Sequence, residues 1–288
     1  MKGFLTALLG TALLFAGCGE RPARAPHNGM RIVSIAPNTA EILYAIGLSN
    51  EVVGVSRYTT YPLDAAQKPS VGGTYDPNYE VIVTLQPDLV VGLDSQADIA
   101  GQLEQLGIPF LDVAHERIRD IMDSILIIGK ACGAEQEAQE LFQTLEKQLA
   151  GFSNAWKTDS PPRVLVCVGH DETLTRMYVA GTNTFYDDLI RLAGGTNACA
   201  GSGGYPEISP EGLAALHPDV VIDILPTLGN FSSNGWTRLQ GERPRVRGAV
   251  TEGSGKPYRA VLMTNDYASI PGPRFIRLLN DFSKVIHE

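Results

Sequence analysis

The sequence predicts an α/β protein of two lobes, each carrying a parallel sheet, joined by one long helix. Three observations carry that prediction. First, Tyr79-Glu80-Val81-Ile82-Val83-Thr84-Leu85-Gln86-Pro87-Asp88-Leu89-Val90-Val91 has an echo in Pro210-Glu211-Gly212-Leu213-Ala214-Ala215-Leu216-His217-Pro218-Asp219-Val220-Val221-Ile222. Both read Glu, four residues, Leu, one residue, Pro-Asp and a β-branched apolar run, which spells a short helix, a proline that stops it and a buried strand. Second, short strands and helices alternate on both sides of the middle of the chain, the pattern of parallel β-α units. Third, the stretch from Glu135 to about Trp156 carries Ala138, Leu141, Phe142, Leu145, Leu149 and Phe152 on one helical face. At ~1.5 Å per residue it would run about 33 Å, a strut rather than a crossover.

Taken in order, Arg31 to Ala36 is the first strand, turned by Pro37 and Asn38 into a helix from Thr39 to Ile46 that Gly47 can close. Val52 to Ser56 is a strand ending in Arg57-Tyr58-Thr59-Thr60-Tyr61-Pro62, and Val71 to Tyr75 precedes the first copy of the repeat. Its strand is Leu89 to Leu93; a helix from Gln96 to Leu106 and a strand from Pro109 to Val113 follow. From Glu116 the strands stop, and an amphipathic helix with Ile118, Ile121, Met122, Ile125, Leu126 and Ile128 breaks near Gly133 before the long one. Strands resume at Arg163 to Val168. Asn183 to Ala193 is helical, ended by Gly194-Gly195, and Ser209 caps the second repeat helix with Pro210 at its first position. Val220 to Ile224 and Ala260 to Thr264 are strands, Phe231 to Gly255 is loop-rich, and Arg274 to Val285 closes the chain as a helix. The expected organisation is an N-terminal lobe over 30–115, linking helices over 116–156, a boundary loop over 157–162 and a C-terminal lobe over 163–288.

The 288 residues are 44% hydrophobic and 19% charged, enough to bury a core. A net charge of −9 argues against a nucleic-acid or anionic-membrane surface. Lys2 followed by the apolar run Phe4 to Ala16 reads as a secretory targeting segment, too short for a typical membrane span. It ends Leu14-Phe15-Ala16-Gly17-Cys18, which resembles a bacterial lipoprotein cleavage site, with Phe15 where Leu or Val is usual. Residues 1–17 are then the signal peptide, Cys18 the lipidated residue and 18–29 the tether, with plain secretion as the alternative. Cys132, Cys167 and Cys199 lack zinc or C-x-x-C spacing and read as small buried residues with at most one disulfide.

No nucleophile elbow, Walker loop, dinucleotide fingerprint or H-E-x-x-H motif is present, so no catalytic residue, metal site or cofactor is expected and the chain reads as a non-enzyme. His115 and His170 each follow a strand and could face a cleft; Asp187-Asp188 reads as solvated charge. Ligands of open parallel sheets bind beyond the carboxyl ends of the strands. Those places here are rich in aromatic residues: Tyr58, Tyr61, Tyr75, Tyr205 and Tyr267, with Trp236 a further candidate. Two lobes meeting across such loops suit a large, flat, partly apolar ligand.

Several segments carry a specific resemblance: Arg31-Ile32-Val33-Ser34-Ile35-Ala36-Pro37 with Thr39 and Glu41, the two Glu…Pro-Asp repeats, Ala193-Gly194-Gly195-Thr196-Asn197, and Ile270-Pro271-Gly272-Pro273-Arg274. They cover nearly the whole chain from Arg31 onward. It resembles the iron-chelate and vitamin B12 periplasmic-binding family, the substrate-binding proteins of ABC importers with a single helical strut. The resemblance implies Rossmann-like lobes, small hinge movement, and one glutamate per lobe docking onto arginines of the permease dimer, here Glu80 and Glu211. A glutamate in a first helical turn also complements the helix dipole.

The same resemblance implies a ligand. Tyr58 in Tyr-x-x-Tyr-Pro, Tyr205 before Pro206, and Asp266 in Thr-x-Asp match contacts of cobalamin-binding members, and Tyr75 and Tyr267 complete the expected ligand-binding set. Tyrosine faces can pack on a corrin and Asp266 can accept from its amides. Thr74 and Leu93 depart, standing where those binders can carry tryptophan. A ferric siderophore would want Arg57, and haem an axial Tyr75 or His170; a bare metal ion would need clustered ligands. The expectation is a monomeric, exported cell-envelope lipoprotein, in the periplasm or on the outer face of the cytoplasmic membrane, delivering cobalamin to an ABC permease. A ferric siderophore or haem is the alternative within the family, and a secreted enzyme the alternative from another class.

Overall fold

The computed structural model of the protein describes residues 29–155, 159–225 and 258–288. The signal peptide, Cys18, nearly all of the expected tether, the Phe231–Gly255 stretch with Trp236, and the last residue expected of the long helix, Trp156, lie outside the described residues.

The first sheet is built from β1 (Ile32–Ser34), β2 (Val52–Val55), β3 (Leu89–Leu93) and β4 (Phe110–Val113), in the order β2-β1-β3-β4 and parallel throughout. Its connections hold α1 (Pro37–Ala45), α2 (Leu63–Ala66), α3 (Tyr79–Leu85) and α4 (Ala97–Gln105). Two helices, α5 (Ile118–Cys132) and α6 (Glu135–Ala155), then pack against each other, turned by Gly133 at φ 71°. Beyond them come β5 (Arg163–His170), β6 (Met177–Val179), α7 (Phe185–Leu192), β7 (Thr196–Asn197), β8 (Glu207–Ile208), α8 (Pro210–Leu216), β9 (Val220–Ile224) and β10 (Arg259–Met263). A 3-10 turn, Asp266–Ser269, and α9 (Phe275–His287) close the chain.

The second sheet runs β10-β9-β5-β6-β8, with β7 paired to β5. Its β10-β9-β5 core is parallel as expected, and two short strands extend it antiparallel, β6 against β5 and β8 against β6. The reason is local. Asp171 accepts hydrogen bonds from the backbone N–H of Thr173 (3.2 Å) and Thr175 (2.8 Å), so β5 turns back as a hairpin instead of crossing over.

The repeated sequence builds the same device twice. Asn78 Oδ1 caps α3 through the Val81 N–H, and Ser209 Oγ caps α8 through the Gly212 N–H. Each helix stops one residue before its proline, at Gln86 (φ 47°) and His217 (φ 46°), because a residue preceding proline is disfavoured in the right-handed helical region. The aspartates then accept from the backbone N–H of the residue opening the neighbouring strand, Asp88 from Arg31 and Asp219 from Arg163, both at 2.8 Å. In return Arg31 donates to the Leu85 carbonyl (2.7 and 2.9 Å) and Arg163 to the Leu216 carbonyl (2.8 Å), satisfying helix-end acceptors.

Strand side chains alternate between two cores, as period 2 demands. Val33 and Val90 face a cluster private to the first lobe, with Ile82, Ile99 and Leu103. Leu165, Cys167 and Val221 face one private to the second, with Met177 and Leu213. Their sequence neighbours Ile32, Val91, Val164, Val166, Val220 and Ile222 face a third cluster that both lobes share. Ile121, Ile125 and Ile128 of α5, Ala138 and Leu145 of α6, and Leu278, Leu279 and Phe282 of α9 fill it. The long helix is therefore one wall of a continuous core.

Candidate functional site

Polar and aromatic side chains gather beyond the carboxyl ends of β2, β3 and β10, whereas Tyr205, expected in the same kind of place, instead sits at the amino end of β8. Beyond β2, Ser56 to Tyr58 lies against residues 72–76: the Arg57 N–H donates to the Gly72 carbonyl (2.8 Å) and the Arg57 guanidinium pairs with Asp76. Gly73 makes room for that pair, since a Cβ there would overlap Asp76 and Arg57. Tyr58 and Tyr75 thus come from adjoining segments, and both rings are open to solvent, at 54% and 67%. Arg57 sits 5.5 Å from the Tyr58 ring centre. The Tyr75 hydroxyl lies 3.4 Å from Ser95 Oγ, beyond β3.

On the second lobe Tyr205 is 45% exposed, its ring edge-on to buried Tyr186 at 6.5 Å. Tyr186 stacks on Phe282 and donates its hydroxyl to the Ala268 carbonyl (2.8 Å), so Tyr205 leans on a fixed base. Burial, with Glu116 adding its charge, pushes the Tyr205 hydroxyl up to about 12. The preceding loop is held by Asn197, whose buried amide donates to the carbonyls of Ala180 (3.1 Å) and Gly181 (3.2 Å) and to Asp187 Oδ1 (3.0 Å).

Arg274 ties the two lobes together. Its Nη2 and Nε donate to Glu41 Oε1 (2.6 Å) and Oε2 (3.0 Å) on α1, and its Nη1 to Asp266 Oδ2 (2.7 Å) beyond β10. Tyr61 of the first lobe lies 4.0 Å from the guanidinium carbon and Tyr267 of the second 5.6 Å. The Asp266 side chain stays 43% exposed. The Tyr267 hydroxyl donates to Asp281 (2.6 Å) and accepts from Asn265 (2.7 Å); burial, then that bond to Asp281, pushes it up to about 12. Its ring packs, partly buried, against the shared core.

Of the expected site residues, the structure brings Asp266 and Tyr267 together around Arg274, carries Tyr58 and Tyr75 on adjoining segments, and holds Tyr205 on a separate anchor, Tyr186. Glu80 and Glu211 are exposed, each at the second position of its helix. Hydrogen bonding to Ser209 and the helix backbone draws the Glu211 carboxyl below its ordinary value.

His170 is corrected as a haem-ligand candidate. Its Nε2 is 3.0 Å from Asp223 Oδ2 and its Nδ1 2.7 Å from the Asp171 carbonyl, with both side chains of the pair buried. Both ring nitrogens are engaged inside the lobe. His115 Nδ1 lies 3.7 Å from Asp94 Oδ1. Among the described residues no group of three or more His, Cys, Asp or Glu side chains is placed to hold a metal ion. Leu93 is buried, its N–H donating to Gln96 Oε1 (2.5 Å). A groove of about 600 Å³ opens beside α4 and the edge strand β4; none of the five tyrosines borders it.

Glu41 and Arg274 stand in the sequence only as parts of the segments that carry the family resemblance. Their opposite charges were the signal available, but nothing in the sequence says that segments so far apart in the chain meet.

The periplasmic binding protein family model matches residues 32–223. The uncharacterized ABC transporter substrate-binding lipoprotein YvrC of Bacillus subtilis (strain 168) is 27% identical over an alignment of 320 residues, spanning 99% of this chain and 96% of its own. A vitamin B12-binding protein of Vibrio parahaemolyticus is 26% identical over 220 residues, 75% of this chain and 78% of its own. The apo structure of the periplasmic heme-binding protein RhuT from Roseiflexus sp. RS-1 superposes with a TM-score of 0.70 at 26% identity, covering 90% of this chain and 98% of that one. With its two lobes and shared core, the chain belongs to the periplasmic binding protein family, as a substrate-binding protein of an ABC importer and not an enzyme.

Proposed function

We propose that this protein is exported, anchored to the cell envelope through lipid on Cys18, and captures cobalamin between its lobes for delivery to an ABC permease dimer. The division into lobes at 30–115 and 163–288, linked by 116–156, belongs to that reading, as does action as a monomer. In this reading the acyl chains on Cys18 are the anchor, and no helix among the described residues is long and apolar enough to cross a membrane.

The observation that carries the ligand class is the set of open tyrosine faces, Tyr58 and Tyr75 on one lobe and Tyr205, just ahead of β8, on the other. Charge supports cobalamin over its rivals. Arg57, the cation a ferric siderophore would use, is neutralised by Asp76, and Arg274 is committed to Glu41 and Asp266. A corrin, whose periphery carries amides, needs no cation and can donate to Asp266. Haem is the second reading, favoured by Tyr75, whose exposed hydroxyl is open to iron. The exposed carboxylates of Glu80 and Glu211, one per lobe, suit docking onto paired arginines of the permease.

The test is the visible spectrum and mass of the small molecule that co-purifies with the protein. A corrin supports the proposal. Haem or a ferric siderophore moves the ligand to the alternatives and leaves the importer role standing.

A further inference from the structure

We propose that Arg274 is a positioning residue for the cleft, holding Asp266 and the rings of Tyr61 and Tyr267 in register with the first lobe and so setting ligand affinity without touching the ligand. The inference rests on the cleft function proposed above and names the residue that organises it.

Arg274 has only 8% of its side chain exposed and all three donor-bearing arms engaged by Glu41 and Asp266, which leaves little of it to meet a ligand directly. Its planar fork is fixed by the two bonds to Glu41, itself 3% exposed on α1. That leaves one direction for Nη1, and Asp266 Oδ2 lies along it at 2.7 Å. The face of the same plane is covered by Tyr61 at 4.0 Å. One rigid group therefore couples a first-lobe carboxylate and ring to a second-lobe carboxylate and ring. The backbone presses the group into place: a Cβ on Gly272 would stand 3.1 Å from Glu41 Oε2 and 3.6 Å from the Asn38 Cα. Pairing with Glu41 alone would satisfy the buried charge, and a lysine could do it. Aiming Asp266 while stacking on Tyr61 requires the guanidinium.

The experiment compares wild type, Arg274→Lys, Asp266→Ala and the double variant, each titrated with cyanocobalamin and with haemin, alongside melting of the ligand-free proteins and their amide hydrogen exchange. Positioning predicts that Arg274→Lys weakens binding of whichever probe the wild type takes by about tenfold. It also predicts that the loss largely disappears in the Asp266→Ala background, because the two act through one contact. A lower melting temperature with unchanged affinity, or losses that simply add, would overturn it. If neither probe binds the wild type, the ligand reading fails and exchange decides: Arg274→Lys must speed exchange in residues 265–270 as well as 37–43, and unchanged exchange in 265–270 rejects positioning. Should Arg274→Lys not fold, Glu41→Gln loosens the same fork and carries the same expectations.

Discussion

Glu80 and Glu211 occupy the same place on matching seven-residue helices, second in α3 after the Asn78 cap and second in α8 after the Ser209 cap. Both are exposed, and neither is needed to hold its lobe together. Charge reversal at both, Glu80→Arg with Glu211→Arg, should therefore abolish uptake of labelled cyanocobalamin by cells while the purified protein keeps its affinity. Normal uptake by the double variant would remove the docking role.

Asp88 and Asp219 occupy equivalent places too, but inside the fold, accepting from the backbone N–H groups of Arg31 and Arg163. Replacing either by alanine strands a strand-opening N–H and should cost about 1–2 kcal/mol, a hydrogen bond to a charged group discounted for partial exposure. Denaturant titration should show similar losses for Asp88→Ala and Asp219→Ala. A large loss for one and none for the other would mean that the repeat is equivalent in sequence alone.

Glu41 is a different case, buried and paired through both oxygens to Arg274. Burial raises its carboxyl above the ordinary value, and the bonds to Arg274 oppose that. Glu41→Ala would leave the guanidinium buried with only Asp266, so chemical unfolding should register a loss of about 3–5 kcal/mol. A loss under ~1 kcal/mol would show that the pair is hydrated and dispensable.

His170 gives the stability a pH dependence. Its hydrogen bond with Asp223, acting against desolvation, raises its pKa above the ordinary value. A histidine with a raised folded pKa contributes stability that is complete below its unfolded value, about 6.5, and lost as pH rises through the folded value. The melting temperature should accordingly fall as pH climbs above about 6.5, and His170→Asn should flatten that slope. An unaltered slope in His170→Asn would assign the dependence elsewhere.

The two-lobe plan was readable because it is written in local grammar. Repeated caps, left-handed helix ends, prolines and β-branched runs act over a few residues, so β3 and β9 were located from Leu89 to Leu93 and from Val220 to Ile224 as the structure has them. The short β6, β7 and β8 were not legible, since two or three residues carry no period and depend on the Asp171 turn. Tyr58, Tyr61 and Tyr267 were legible as residues following strands, while Tyr205 precedes β8 instead. The organisation around Arg274 and Glu41 was not legible, because that contact joins opposite ends of the chain. His170 looked like a cleft residue for the same reason that Tyr58 did. Only the partner waiting on β9, Asp223, turned it inward.

The central claim is that the tyrosine-lined cleft binds a corrin, and calorimetric titration of cyanocobalamin into the purified, unacylated protein tests it most directly. Saturable one-to-one binding is predicted, weakened by Tyr58→Ala and by Tyr205→Ala, with a stabilisation of about 2.7 kcal/mol at ~100 times the dissociation constant. No heat and no thermal shift with cyanocobalamin, while haemin or a ferric siderophore saturates the same protein, would contradict it.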